Sequence, residues 1–174
     1  MHKVLLLTTI LFSLAVSAIC QSTVTVPNVV LHKFYNEYES VAKANWSVQA
    51  DGSYYVKFYL SKNKLPYSAV YDPNGNWIEK KTGIKFSELP MLVAEEIVNR
   101  YHNFKPVSNT RYETAGNKPL YYVTLIKWQP GSDYRESYDV EFSAEGVLLN
   151  NPEMQTARVS AEENAWLKLY PESK

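Results

Sequence analysis

Cysteine is nearly absent from this chain of 174 residues: the single one, Cys20, ends an apolar leader. With the leader removed after Cys20 the chain holds none, which excludes disulfide staples, cysteine nucleophiles, thiolate metal sites and thiol redox chemistry. The fold then stands on its hydrophobic core alone. An excess of one charge is missing too. Lys and Arg number 18, Asp and Glu 18. A protein that neutralises many phosphates needs a clear basic excess, so no nucleic-acid partner is expected. Histidine is scarce, with three residues. Neither His32 nor His102 has a clustered carboxylate or thiol in sequence, so neither a metal site nor a catalytic pair is expected.

Catalytic and cofactor motifs are also wanting. There is no Gly-x-Ser-x-Gly, no His-Glu-x-x-His and no glycine-rich phosphate loop. Asp72-Pro73-Asn74-Gly75-Asn76 opens like a calcium loop, but Trp77 stands at the sixth place and Gly83 at the twelfth, where Gly and Glu belong. A tight turn accounts for it. Glu95 and Glu96 are adjacent on a helix and point about 100° apart, which makes no carboxylate dyad. The expectation is a non-enzyme that needs no cofactor and no metal.

One long hydrophobic run is present. His2 and Lys3 give a positive start, Val4 to Ala18 is apolar or small, and Ser17, Ala18 and Cys20 supply small residues for cleavage. This is the layout of a secretory signal over residues 1–20. Fifteen residues are too few to cross about 30 Å of hydrocarbon. Cleavage after Ala18 and cleavage after Cys20 both fit. Lipid anchoring through Cys20 is the minority reading, because Ile19 precedes it where Gly, Ala or Ser is the norm. Cleavage after Cys20 leaves 154 residues with 17 positive and 18 negative side chains, a net charge of −1. No transmembrane segment is expected in the mature chain, which is read as exported, periplasmic or secreted.

The full chain is 45% hydrophobic and 21% charged, rich enough in apolar residues to bury a core. Tyrosine is the outlier at 14, with 4 Trp beside it. An internal repeat organises the chain. Val26-Pro27-Asn28-Val29-Val30 matches Leu89-Pro90-Met91-Leu92-Val93 at an offset of 63. Tyr54-Tyr55-Val56-Lys57-Phe58 matches Tyr121-Tyr122-Val123-Thr124-Leu125 at an offset of 67. Tyr67, Ala69, Tyr71 and Gly75 match Tyr138, Val140, Phe142 and Gly146 at an offset of 71. The offset grows between blocks, as loop insertions would produce. The organisation read from this is a first unit over 21–85, a second over 86–150, and a tail over 151–174.

Each unit reads as a helix followed by antiparallel strands. Val30, Leu31, Phe34, Tyr38 and Val41 share one helical face, as do Pro90, Val93, Ala94, Ile97 and Tyr101. Pro27 and Pro90 suit the opening turn, where a missing N–H costs nothing, and Ser87 is a candidate N-cap. His32 falls about 150° from the core direction and is expected in solvent. Strands are predicted over 45–50, 53–60, 65–71 and 76–81, then over 107–114, 119–128, 135–143 and a short 147–150. Asp51-Gly52 and Asp72-Pro73-Asn74-Gly75 supply turns. In the tail, a helix is predicted near Ser160–Leu169, with Ser160 and Glu163 forming a capping box.

Alternation along the strands assigns faces. Tyr54, Val56, Phe58 and Leu60 are expected under the first helix, and Tyr121, Val123 and Leu125 under the second. The opposite face then carries Tyr55, Lys57 and Tyr59 in the first unit, with Tyr122, Thr124, Ile126 and Trp128 in the second. Aromatic rows on an open sheet suit protein binding, since rings give large contact area at low entropy cost. Two plainer readings stand beside it: aromatic residues bracing a cross-strand ladder, and a face covered by the tail.

The order of motifs resembles the PepSY-like, β-lactamase-inhibitor-like family of exported Bacteroidetes proteins. It is carried by Val26-Pro27 with Val30 and Phe34, Lys43-Ala44-Asn45-Trp46, Tyr54 to Phe58, Tyr71 to Trp77 and Leu89-Pro90, and it spans Val26 to Leu149. The resemblance implies an α+β fold in which two tandem helix-plus-antiparallel-sheet units form a continuous curved sheet with helices on one face. The function read from the aromatic sheet face is an exported, non-enzymatic binding module that holds a protein or peptide in the cell envelope or outside the cell, and the resemblance adds only the analogy of a module that blocks a hydrolase. No residue here matches an inhibitory loop. A periplasmic protein that stacks a small ligand or glycan on the same aromatics is the alternative.

Overall fold

Two short amphipathic helices and one sheet make up the computed structural model, which describes residues 24–128, 132, 134–150 and 152–158. The leader with Cys20 and the helix predicted near Ser160–Leu169 lie outside the described residues. Helix α1 covers Asn28–Glu37. Pro27 is its N-cap, and its carbonyl accepts from the N–H groups of Val30 and Leu31 at 3.0 and 3.1 Å. Val30 and Phe34, one turn apart, are its buried pair. The helix is shorter than the periodicity suggested. Tyr38 is already extended, Ser40 takes a φ of 63°, and Val41 opens a strand. Val41 keeps its place in the core because the strand delivers it to the same cluster.

Four strands follow: β1 (Val41–Val48), β2 (Tyr54–Leu60), β3 (Tyr67–Tyr71) and β4 (Trp77–Gly83). A 3₁₀ turn at Phe86–Glu88 leads into α2 (Met91–Arg100). Ser87 sits inside that turn and caps nothing; Pro90 is the N-cap of α2, as Pro27 is of α1. Then come β5 (Lys105–Thr114), β6 (Leu120–Trp128), β7 (Tyr134–Ser143) and β8 (Gln155–Arg158). The strand expected at 147–150 is reduced to a single bridge between Phe142 and Leu148. In its place the segment read as an unassigned tail supplies β8, paired to the opening half of β7.

The eight strands form one antiparallel sheet in chain order, β1 to β8, with consecutive strands adjacent throughout. Strands β4 and β5 pair from Glu79↔Thr114 to Gly83↔Thr110, so the sheet runs unbroken through the middle of the chain. The fold is α+β, a curved open sheet with both helices on one face. Two cores lie between helices and sheet. The first gathers Val30, Phe34, Val56, Phe58, Ala69 and Tyr71, and the second Leu89, Val93, Ile97, Tyr101, Tyr121, Val123, Leu125, Val140 and Phe142. Phe34 is the hub of the first, with Phe58, Trp46 and Tyr71 packed edge-on against it at centroid distances of 4.9, 5.1 and 6.3 Å.

Two glycines seat the helices on the sheet in the same way. Gly75 and Gly146 both have a φ of +80°. A Cβ on Gly75 would lie 3.1 Å from the Val29 carbonyl oxygen, and one on Gly146 only 2.8 Å from that of Leu92. Val29 and Leu92 are the second residues of α1 and α2, so each turn tucks against the first turn of its helix. The pairs Tyr71↔Trp77 and Phe142↔Leu148 sit just before and after these turns in the same relation.

Candidate functional site

The sheet face away from the helices follows from the register. Val56, Phe58, Val123 and Leu125 belong to the two cores, so their neighbours in sequence point the other way. One row across that open face reads Ser47, Tyr55, Val70, Glu79 and Thr114. The next reads Asn45, Lys57, Ser68, Lys81, Tyr112 and Leu120. Beyond it, Thr110 lies beside Tyr122 and Glu141, and Ser108 beside Thr124 and Asp139.

All seven residues singled out from alternation, Tyr55, Lys57, Tyr59, Tyr122, Thr124, Ile126 and Trp128, lie on this face, but in two groups. Tyr55, Lys57 and Tyr59 are on β2, and the other four are on β6, four strand spacings or about 19 Å away. Within each group the surroundings differ. Tyr59 and Tyr122 are each 37% exposed, and Lys57 is open to solvent. Thr124 donates its hydroxyl hydrogen to Asp139 Oδ1 at 2.7 Å. Ile126 departs from the expectation of an open site: it is only 6% exposed and packs with Trp128, while its cross-strand neighbour Ser137 is buried as well. Trp128 donates its indole N–H to the Ser132 carbonyl at 3.2 Å. The Ile126–Trp128 end is therefore a small closed apolar cluster, and the accessible part of the face runs from Tyr55 to Tyr122.

Reaching from the second group toward the first is a cluster of which the strand patterns single out only Tyr122. Tyr112 and Tyr122, on neighbouring strands, meet edge-to-face at 5.7 Å and 70°. The Tyr112 hydroxyl donates to Glu79 Oε2 at 2.9 Å. The Lys81 ammonium lies 5.3 Å from the Tyr112 ring centre and 3.9 Å from Glu79 Oε1. Tyr122 in turn stands opposite Glu141 in the β6–β7 ladder. Partial burial, then the carboxylate beside each ring, raises the pKa of both phenols above the ordinary tyrosine value. They stay protonated and act as hydrogen-bond donors near neutrality. Two phenols, two carboxylates and a lysine thus form a polar seam across the junction of the two halves. Charge is unevenly spread over the face. Lys43, Lys57 and Lys81 lie with Glu79 on β1, β2 and β4, whereas Asp139 and Glu141 lie with Arg135 on β7. Lys43 and Lys57 have no ion-pair partner among the described residues.

His32 is exposed and lies 3.1 Å from the Asn36 amide nitrogen, while His102 is exposed beyond the end of α2. Asp72 holds its own turn, accepting from the N–H groups of Asn74 and Asn76 at 2.9 and 2.8 Å. Among the described residues no three His, Cys, Asp or Glu side chains come together as a metal site, and no helix is long and apolar enough to cross a membrane.

No family model and no curated protein matches the chain. Solved structures do. A DUF2874 family protein from Bacteroides ovatus is 22% identical, with 79% of this chain and 90% of that one aligned at a TM-score of 0.54. A BLIP-like protein from Bacteroides fragilis is 17% identical over 76% of this chain and 89% of that one, at a TM-score of 0.57. A protein from Bacteroides eggerthii, provisionally described as periplasmic, is 19% identical over the same shares, also at 0.57. At these identities the likeness is one of fold: the chain has the architecture of the DUF2874 and BLIP-like proteins of Bacteroides.

Proposed function

We propose that this protein is an exported, non-enzymatic binding module that holds a protein or peptide on its open sheet face. The observation that carries this reading is the polar-aromatic surface from Tyr55 to Tyr122, centred on the Tyr112–Tyr122 pair and covered by neither helix. Rings braced by cross-strand neighbours lose little entropy on binding, and flanking lysines and carboxylates give orientation and partner discrimination. Broad open surfaces suit protein partners, whereas small ligands favour enclosed pockets. The fold shared with BLIP-like proteins supports an inhibitor-like use, in which the face blocks a periplasmic or secreted hydrolase, and the periplasmic description of one structural neighbour supports export. Kinship with the PepSY-like proteins belongs to the same reading.

The test is a pull-down from a cell-envelope extract with the mature protein beside the Tyr55→Ala/Tyr122→Ala double variant. A protein held by the wild type and lost by a folded double variant supports the reading. Capture of nothing, or equal capture by both forms, overturns it. Circular dichroism on both forms separates lost binding from lost folding.

A further inference from the structure

On the opposite side of the sheet, the turn between β3 and β4 packs beneath α1 and leaves a cleft of about 570 Å³. Lys33, Asn36 and Glu37 of α1 line it from one side, and Tyr71, Asn76 and Trp77 from the other. The second half of the molecule has the same architecture with different chemistry. The matched glycines, Gly75 and Gly146, and the matched pairs, Tyr71↔Trp77 and Phe142↔Leu148, put Tyr71, Asn76 and Trp77 in the places of Phe142, Val147 and Leu148. A phenol, an amide and an indole thus stand where the other half carries three apolar side chains. Packing a helix on a sheet does not need that polarity, because the second half does so without it.

The groups in the cleft favour hydrogen-bond donors from a ligand. Glu37 accepts from the Tyr71 hydroxyl at 3.3 Å and is paired with Lys80. A carboxylate has about four acceptor positions, so with the Tyr38 hydroxyl also beside Glu37 at least one remains. Asn76 donates its amide to Asp72 at 2.9 Å, which fixes the side chain and leaves its carbonyl oxygen as an acceptor. The Lys80 ammonium covers the Trp77 ring at 4.3 Å from its centre. Lys33 and Lys80 balance Glu37 and the Asp72 carboxylate that holds Asn76, so the cleft has no net charge to favour an ionic ligand. An indole next to a carboxylate and fixed amides matches the two aspects of a sugar ring, an apolar C–H face and a rim of hydroxyls. The volume lies within the usual range for small-ligand sites, about 300–1,000 Å³.

We propose that this cleft binds a carbohydrate residue, either free or at the end of a glycan chain. It lies across the sheet from the aromatic face, so neither site depends on the other.

The experiment is an NMR titration of the mature protein with glucose, N-acetylglucosamine, galacturonic acid and the disaccharide chitobiose, followed at the tryptophan indole N–H signals and the Gly75 amide. A saturable shift at Trp77 and Gly75, with Trp128 unmoved, is expected for at least one of these sugars. Tighter binding of the disaccharide than of its monosaccharide identifies a chain end, and equal binding identifies a free sugar. Trp77→Leu, which installs the residue of the other half, is expected to weaken binding about tenfold. Asn36→Ala, at an exposed helix position, is expected to weaken it about three- to tenfold, as for one net hydrogen bond. If Trp77→Leu does not fold, Asn36→Ala decides. No saturable shift at Trp77 with any of the four sugars, or a shift unchanged in the folded variants, overturns the proposal.

Discussion

Replacing glycine by alanine at three turns separates two costs that are usually confounded. Gly52, Gly75 and Gly146 have nearly the same backbone, with φ of +82°, +80° and +80°. They differ in what an added Cβ meets. At Gly52 there is nothing within 4 Å. At Gly75 the nearest atoms are the flexible Lys33 Cγ and the Val29 carbonyl oxygen, both at 3.1 Å. At Gly146 they are the Leu92 carbonyl oxygen at 2.8 Å and its carbon at 2.9 Å, both backbone and both in a helix. A left-handed alanine costs about 1–2 kcal/mol. The loss of unfolded-chain entropy returns about 0.4–1 kcal/mol. Gly52→Ala is therefore expected to cost about 0.5–1 kcal/mol. At Gly146 the first turn of α2 must also move away from the sheet, which adds the roughly 1–3 kcal/mol of an overpacked site and brings the total to about 1.5–4 kcal/mol. Gly75→Ala falls between, because a lysine stem can yield but a carbonyl cannot. Urea unfolding read as midpoint and slope gives all three values. Equal costs at Gly52 and Gly146 would refute the claim that the second turn is clamped against its helix.

Phe34→Ala removes the hub of the first core and is expected to cost about 3–5 kcal/mol in the same unfolding assay, whereas Tyr71→Phe, which loses one long hydrogen bond to Glu37, should cost no more than about 1 kcal/mol. Tyr122→Ala forfeits its edge-to-face contact with Tyr112, worth about 0.5–1.5 kcal/mol, and should leave a protein with native near-ultraviolet dichroism. The Asp72 carboxyl is held below its ordinary value, first by the Asn76 side-chain hydrogen bond and then by backbone N–H groups. Its contribution is therefore present above the unfolded value of about pH 4 and fades as pH falls through the lower folded value. The stability gap between wild type and Asp72→Ala should narrow below pH 4. A gap that widens on acidification would contradict the hydrogen-bonded turn.

The legible parts of the fold were those where one side chain in two is apolar. Tyr54, Val56 and Phe58 alternate with Tyr55, Lys57 and Tyr59, and the buried and open faces of β2 follow directly. Strand β5 offers no such contrast. Arg111 and Glu113 lie on the helix side and pair with each other at 2.7 Å, so both of its faces are polar and Tyr112 was not distinguished. Tyr112, the partner of Tyr122 in the central cluster, was missed for that reason. Strand β8, Gln155–Arg158, also lacks apolar alternation; its pairing with β7 comes from backbone groups, which carry no residue signature. The end of α1 was overrun because Tyr38 and Val41 continue the helical spacing while being delivered to the core from outside the helix, and the turn that ends it uses Ser40 at positive φ where glycine or asparagine would have marked it.

Because strand order equals chain order, every ladder closes between segments that are neighbours in time as well as in space. A chain emerging amino end first can complete α1 and β1 to β4 around Phe34 before β5 exists, and such short-range closure is the fast kind. The cost is a temporary raw edge at β4, which waits for its partner with unpaired backbone groups. Its residues Glu79, Lys80 and Lys81 make that edge a poor template for strangers. The ions that later serve the finished surface would first act as a guard on the growing one.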